Sequence, residues 1–199
     1  MTTYPIEEIS SIVKAEAIIH TEGSKISYLL TDSRNLVYPD ATLFIALITP
    51  SRNGHQFIPE LYEKGVRNFL TSESLDEIQF PKANFLKVSD TLKAIQKLAA
   101  FHRKRFHIPV IGITGSNGKT IVKEWLFQLL NEDYRIVRSP KSYNSQIGVP
   151  LSVWQMEPEN NLAIIEAGIS QPDEMINLEK IILPTIGIFT NIGDAHNEG

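Results

Sequence analysis

The sequence has no cysteine among its 199 residues. Disulfide scaffolds, thiolate zinc sites, iron–sulfur clusters and cysteine nucleophiles are thereby excluded. Long hydrophobic runs are missing as well. The stretch from Ala41 to Ile48 is among the longest, well short of the roughly 18 residues needed to span a bilayer. The opening residues Met1-Thr2-Thr3-Tyr4-Pro5-Ile6-Glu7-Glu8 lack the basic and apolar regions of a signal peptide, so a cytoplasmic location is expected. There is no excess of positive charge either. With 19 Lys+Arg against 23 Asp+Glu the formal net charge is −4, which argues against nucleic acid or an anionic membrane as partner. The 42% hydrophobic and 21% charged residues give the balance of a globular protein with enough apolar material for a core. A prior of roughly 150 residues per domain predicts between one and two domains.

The pattern along the chain alternates strand and helix. Thr42 to Leu47 reads as a short buried strand, and Phe57 to Lys64 as a helix that stops at Gly65. Val66 to Leu70 and Ala83 to Val88 are further strands. Asp90 is positioned to cap a helix from Thr91 to Arg105, with Leu92, Ile95, Leu98 and Ala99 at helical spacing. The cations from His102 to His107 at its end complement the helix dipole and lead into a solvated linker. Pro109 then marks a junction, dividing the chain into domains 1–106 and 107–199. In the second, Val110 to Thr114 is a strand, Gly115 to Gly118 a tight turn and Lys119 to Leu130 a helix. Arg135 to Val137, Leu162 to Ala167 and Thr185 to Asn191 are strands, and Pro172 to Ile182 is a helix. Continuous apolar strands alternating with helices predict an α/β fold with a mainly parallel sheet.

Thr114-Gly115-Ser116-Asn117-Gly118-Lys119-Thr120 lies between a buried strand and a helix, the context of a phosphate-binding loop. Glycines let the backbone turn so that successive N–H groups face phosphate oxygens, and the helix N-terminus adds a favourable dipole. Lys119 would reach the terminal phosphates of a bound nucleotide, and the Thr120 hydroxyl would ligate Mg²⁺. The first glycine of the general pattern is replaced by Ile113. A small kinase or GTPase would want that glycine, and a strand-terminal Asp where Glu166 stands. A glycine-rich turn with an incidental lysine is the bland alternative.

The departure at Ile113 is the form found in one family. The loop resembles that of the Mur ligases, ATP-dependent amide-forming enzymes of peptidoglycan precursor synthesis, and further matches follow in the same order. Tyr143-Asn144-Ser145-Gln146-Ile147-Gly148-Val149-Pro150 is similar to the family's Asn-x-x-Ile-Gly-x-Pro segment, in the branch that adds D-alanyl-D-alanine to the UDP-N-acetylmuramoyl-tripeptide. Glu166, at the end of Ile164-Ile165-Glu166-Ala167-Gly168, matches the family's magnesium-binding glutamate. Thr190-Asn191-Ile192-Gly193-Asp194-Ala195-His196 resembles the segment whose histidine helps hold a second metal. Such acceptors at the carboxyl ends of neighbouring parallel strands face the crevice where α/β sheets bind ligands. In the first segment, Thr31-Asp32-Ser33-Arg34, Leu43 to Leu47 and Asn53-Gly54-His55 look like the domain that grips the UDP moiety. Asp-Ser-Arg is also a common turn with an exposed charge. His20, His102 and His107 match nothing there and are read as surface or packing residues.

The resemblance implies a small N-terminal α/β UDP-substrate domain followed by a truncated P-loop central domain. It implies ATP and Mg²⁺ as cofactors, with Lys119, Glu166 and His196 as catalytic residues and Thr120, Glu166 and His196 on the metals. Thr114 through Thr120 would hold ATP; Ser33, Arg34, His55, Asn144 and Ser145 would hold substrate. The implied reaction passes through an acyl phosphate. The chain stops before the bridging lysine and C-terminal domain of the family, so a truncated, inactive fragment is expected, from a parent that in some members is fused to an alanine racemase. The alternatives are a Mur-type ligase adding a different amino acid, and a non-catalytic UDP-sugar or nucleotide-binding module.

Overall fold

A computed structural model describes residues 1–168 and 173–193. The chain divides into two compact units, Met1–Ile95 and Gln96–Gly199. The division falls inside the helix Thr91–Arg103, upstream of the junction expected at 106–107. Among the described residues no helix is long and apolar enough to cross a membrane.

The first unit contains β1 (Tyr4–Pro5), α1 (Ile6–Val13), β2 (Glu16–Ile18), β3 (Lys25–Ile26), β4 (Tyr28–Leu30), β5 (Thr42–Ile45), β6 (Ile48–Thr49), β7 (Arg52–Asn53), α2 (Ile58–Glu63), β8 (Asn68–Thr71), β9 (Asn84–Lys87) and the start of α3 (Thr91–Arg103). Five strands form one sheet in the order β2-β9-β8-β5-β4, parallel except for β2. Every residue of β5 and β8 is buried, as expected of central parallel strands covered on both faces. The register sets Phe44 beside Phe69 and Phe69 beside Phe85. Their rings meet edge-to-face at 6.4 Å and stacked at 5.5 Å, cross-strand aromatic contacts that pin the register.

The second unit contains the end of α3, then β10 (Val110–Thr114), α4 (Lys119–Leu130), β11 (Ile136–Arg138), α5 (Gly148–Val153), β12 (Leu162–Glu166), α6 (Glu174–Ile182) and β13 (Ile186–Phe189). The sheet order is β11-β12-β10-β13, all parallel. Ile111, Ile113, Leu162 and Ile164 pack with Val122, Leu126 and Leu130 of α4. Val110, Ala163 and Ile165 turn to the other face, with Val149 and Val153 of α5 and Leu178, Ile181 and Ile182 of α6. The sheet is thus covered by helices on both sides.

At the α3 end Arg103 is buried, and its guanidinium donates to the carbonyls of Ile182, Leu183 and Phe106 at 2.7, 3.1 and 2.6 Å. It closes the C-terminal end of α6, whose terminal carbonyls have no intrahelical donors. His102 is buried too, ringed by Phe106 and Trp154 at 4.8 Å each, with Nε2 donating to Met156 O at 3.0 Å.

Candidate active site

Strand periodicity decides where Glu166 faces. Side chains alternate across a sheet, and Leu162 and Ile164 lie on the α4 side. Glu166 is next in that series, so it emerges toward α4, fully buried at the carboxyl end of β12. On α4, Lys119, Lys123, Leu126 and Leu130 recur at helical spacing, which turns Lys119 and Lys123 to the same inner face.

The loop from β10 to α4 needs its glycines. Gly115 has φ +132°, and a Cβ there would lie 2.2 Å from Thr190 Oγ1. Gly118, at φ +80°, leads into α4. Because β10 lies between β12 and β13, the loop sits between Glu166 on one side and Thr190-Asn191 on the other. Ser116 N–H donates to Asn191 O and Asn117 N–H to Asn191 Oδ1, each at 3.0 Å. Gly193 N–H donates to Ser116 Oγ at 3.0 Å, and Thr190 Oγ1 donates to Asn117 O at 2.5 Å. Of the loop N–H groups that the glycine pattern directs toward phosphate, those of Ser116 and Asn117 are satisfied by Asn191. Lys119 Nζ folds onto the loop, donating to Gly115 O at 2.6 Å.

Around Glu166 the partners split between its two oxygens. Thr120 Oγ1 donates to Oε2 at 3.1 Å, and Asn144 Nδ2 lies 3.5 Å from the same oxygen. Lys123 Nζ sits 2.9 Å from Oε1. It aims its N–H bonds at Ser139 O (2.8 Å) and Lys141 O, so Oε1 has the charge contact and no hydrogen bond of its own. Both side chains are fully buried, an arrangement that holds only because each offsets the desolvation of the other. Lys123 is absent from the sequence-derived site; its place on the inner face of α4, four residues after Lys119, is the signal that would have found it.

Thr120 Oγ1 and Glu166 Oε2 are hard oxygen donors converging beside a phosphate-type loop, and they fit a magnesium ion. Among the described residues no group of three or more His, Asp or Glu side chains is placed to hold a metal. Magnesium is commonly held through one or two carboxylates, with water and phosphate oxygens completing its shell. His196 lies outside the described residues. Ser145 Oγ accepts from Gly148 N–H at 3.1 Å and so starts α5.

The first-unit residues are placed as follows. Asp32 caps a short turn over Ser33–Asn35 and is gripped by Arg34 through Nε at 2.9 Å and NH2 at 2.6 Å. The Arg34 hydrogen bonds hold the Asp32 carboxyl down at about 2. Ser33 is buried and Arg34 is exposed. His55 is buried, with Nδ1 against Asn53 Oδ1 at 2.7 Å and Nε2 accepting from Ser72 N–H at 3.0 Å and Glu73 N–H at 3.3 Å. Burial pushes its imidazole below the usual range, with Glu73 opposing. Both ring nitrogens are therefore engaged within the unit, in bonds that fix residues 72–73.

A buried parallel strand, a glycine loop, a helix opening on Lys-Thr and a buried carboxylate on the adjacent strand together define a P-loop-type α/β domain. Residues 113–199 match the Mur ligase middle domain. The chain is 39% identical over 176 residues to the UDP-N-acetylmuramoyl-tripeptide–D-alanyl-D-alanine ligase of Synechocystis sp., covering 88% of this chain and 38% of that one. It is 34% identical to the Bacillus subtilis protein of the same name, covering 96% and 41%. Among solved structures, MurF from Acinetobacter baumannii superposes with a TM-score of 0.87 at 26% identity, over 98% of this chain and 42% of that one. MurF ligase from Thermotoga maritima in complex with ADP gives 0.73 at 26% identity, over 84% and 38%. The chain belongs to the Mur ligase family. It spans about two fifths of the length of these relatives.

Proposed function

We propose that this chain carries the UDP-substrate unit and the ATP loop of a ligase that adds D-alanyl-D-alanine to UDP-N-acetylmuramoyl-tripeptide. The observation that carries the reading is the convergence of Thr120 Oγ1 and Glu166 Oε2, 3.1 Å apart, beside the Gly115–Lys119 loop. The names of the relatives from Synechocystis and Bacillus subtilis support the substrate pair, and the ADP-bound Thermotoga protein supports ATP as phosphoryl donor.

In this reading a terminal carboxylate oxygen of the tripeptide attacks the γ-phosphorus of ATP, and ADP departs. The dipeptide amine attacks the resulting acyl carbon, loses a proton and expels phosphate, leaving the amide. The chain's part is positioning and charge neutralisation, which dominate phosphoryl transfer. The N–H groups of residues 115–120 hold phosphate oxygens, Lys119 leaves the Gly115 carbonyl to meet the terminal phosphates, and Thr120 with Glu166 holds Mg²⁺. The ion supplies charge neutralisation at the phosphates; His196 is assigned to a second metal. In the first domain, residues 1–106, Ser33 and Arg34 meet the UDP moiety, while His55 fixes the 72–73 backbone. Asn144 and Ser145 line the tripeptide end.

Calorimetric titration with UDP-N-acetylmuramoyl-tripeptide and with Mg-ATP tests the reading. Saturable binding of both is expected. Folded protein that binds neither overturns it.

A further inference from the structure

Glu166 is fully buried, yet its two oxygens meet different surroundings. Oε2 faces the Thr120 hydroxyl and the Asn144 amide, on the side of the loop. Oε1 faces the ammonium of Lys123 at 2.9 Å. That ammonium is itself fully buried and held by the carbonyls of Ser139 and Lys141. Lys141 adopts φ +48°, a left-handed conformation unfavourable for a lysine, and in it presents its carbonyl to Lys123. Ser139 serves both partners: its carbonyl accepts from Lys123, and its hydroxyl accepts from the Glu166 N–H at 3.1 Å. The Glu124 carboxylate adds a fourth contact at 3.2 Å, so the ammonium is held by two carbonyls and two carboxylates, and Oε1 is taken.

We propose that Lys123 is a positioning residue that restricts Glu166 to offering a single oxygen, Oε2, and thereby sets the preference of the site for magnesium over calcium. The inference rests on the nucleotide-site reading above. A cation bound by both carboxylate oxygens would stand against the Lys123 ammonium, and like charges in a dry interior repel strongly. One-oxygen coordination is therefore enforced. Magnesium accepts that readily, because it demands near-octahedral geometry and retains several waters. Calcium takes six to eight oxygens and commonly engages carboxylates through both. Occupation of Oε1 by Lys123 penalises calcium selectively. Loss of fold, or of one positive charge, would act on both cations alike; the ratio between them reads the coordination geometry.

The test is ATP titration of the chain by calorimetry in saturating Mg²⁺, in saturating Ca²⁺ and in EDTA. The wild type should bind ATP at least tenfold tighter with magnesium than with calcium. In Lys123→Met that ratio should fall at least fivefold, with calcium gaining relative to magnesium; an unchanged ratio in folded protein overturns the proposal. No metal-dependent ATP binding by the wild type instead overturns the nucleotide-site reading on which it rests. Should Lys123→Met not fold by circular dichroism, Lys123→Met/Glu166→Gln is compared with Glu166→Gln. A carboxamide offers a single oxygen, so the two ratios should agree within twofold, and a larger difference shows that Lys123 acts other than through Glu166 and sinks the proposal.

Discussion

The Thr120 hydroxyl donates to Glu166 Oε2 across 3.1 Å, joining the first turn of α4 to the end of β12. Thr120→Val keeps the shape and removes the donor. Its cost to folding should be about 1 kcal/mol, the net worth of one hydrogen bond. Binding should suffer more, because the hydroxyl is assigned to the metal. Calorimetry should find Mg-ATP affinity reduced at least about tenfold, with Thr120→Ser close to wild type. Equal affinity in Thr120→Val and wild type would remove Thr120 from the site.

Lys119 rests on the Gly115 carbonyl at 2.6 Å, and its charge is the part a phosphate would use. Lys119→Ala should weaken ATP binding by at least about tenfold, the scale of a lost charge-assisted contact. Binding of the UDP-tripeptide, whose UDP moiety is assigned to Ser33 and Arg34 and whose tripeptide end is assigned to Asn144 and Ser145, should stay within about twofold on the same scale. A parallel loss of both ligands with an intact circular dichroism spectrum would count against separate sites.

His102 makes folding sensitive to acid. Burial holds its pKa at about 4 against an ordinary 6.5. The unfolded chain therefore takes up a proton below about pH 6.5 that the folded chain refuses until about pH 4, and stability falls as pH drops through that window. The contribution is about 3 kcal/mol at full extent, from 1.36 kcal/mol per pKa unit. Urea melts from pH 7.5 down to 4.5 should record the decline, and His102→Gln should flatten it. A slope unchanged in that variant would assign the acid sensitivity elsewhere.

Arg103 serves three carbonyls at the α3 and α6 ends. Arg103→Met keeps most of the aliphatic stem and leaves those acceptors without their donor. The expected loss is about 2–4 kcal/mol in denaturant unfolding, since unpaired buried polar groups cost about 1–3 kcal/mol each and relaxation recovers part. A loss below about 0.5 kcal/mol would mean that water replaces the guanidinium.

The legible parts of this protein are those where a repeat of physics shows through the letters. Apolar runs such as Leu162 to Ile165 announce buried parallel strands, and Gly118-Lys119-Thr120 at a strand–helix turn announces the loop; α4 then begins and ends at Lys119 and Leu130 as read. Helix α1 passed unread although Ile6, Ile9 and Val13 already show helical spacing and all three are buried. Helix α5 was hidden by Gly148 and Pro150, breakers in a helix interior that are harmless in its first turn. Lys123 and Arg103 were missed for a different reason. A charged residue reads as solvent-facing until its neighbours in space are known, and those neighbours come from strands and helices distant in sequence. His55 shows the same limit, because its nitrogens are engaged by Asn53 and by the 72–73 backbone.

Asn191 gives the loop a tenant from its own chain: two residues after β13, it occupies the N–H groups of Ser116 and Asn117 with its carbonyl and side chain. An anion that claims those groups evicts it. Occupancy of the loop and the seating of Asn191 are thus two sides of a single exchange. Linkage makes the exchange mutual: what steadies Asn191 in place lowers the affinity of the loop for anions, and what binds the loop N–H groups releases Asn191, while Thr190 and Gly193 keep their own bonds to Asn117 O and Ser116 Oγ.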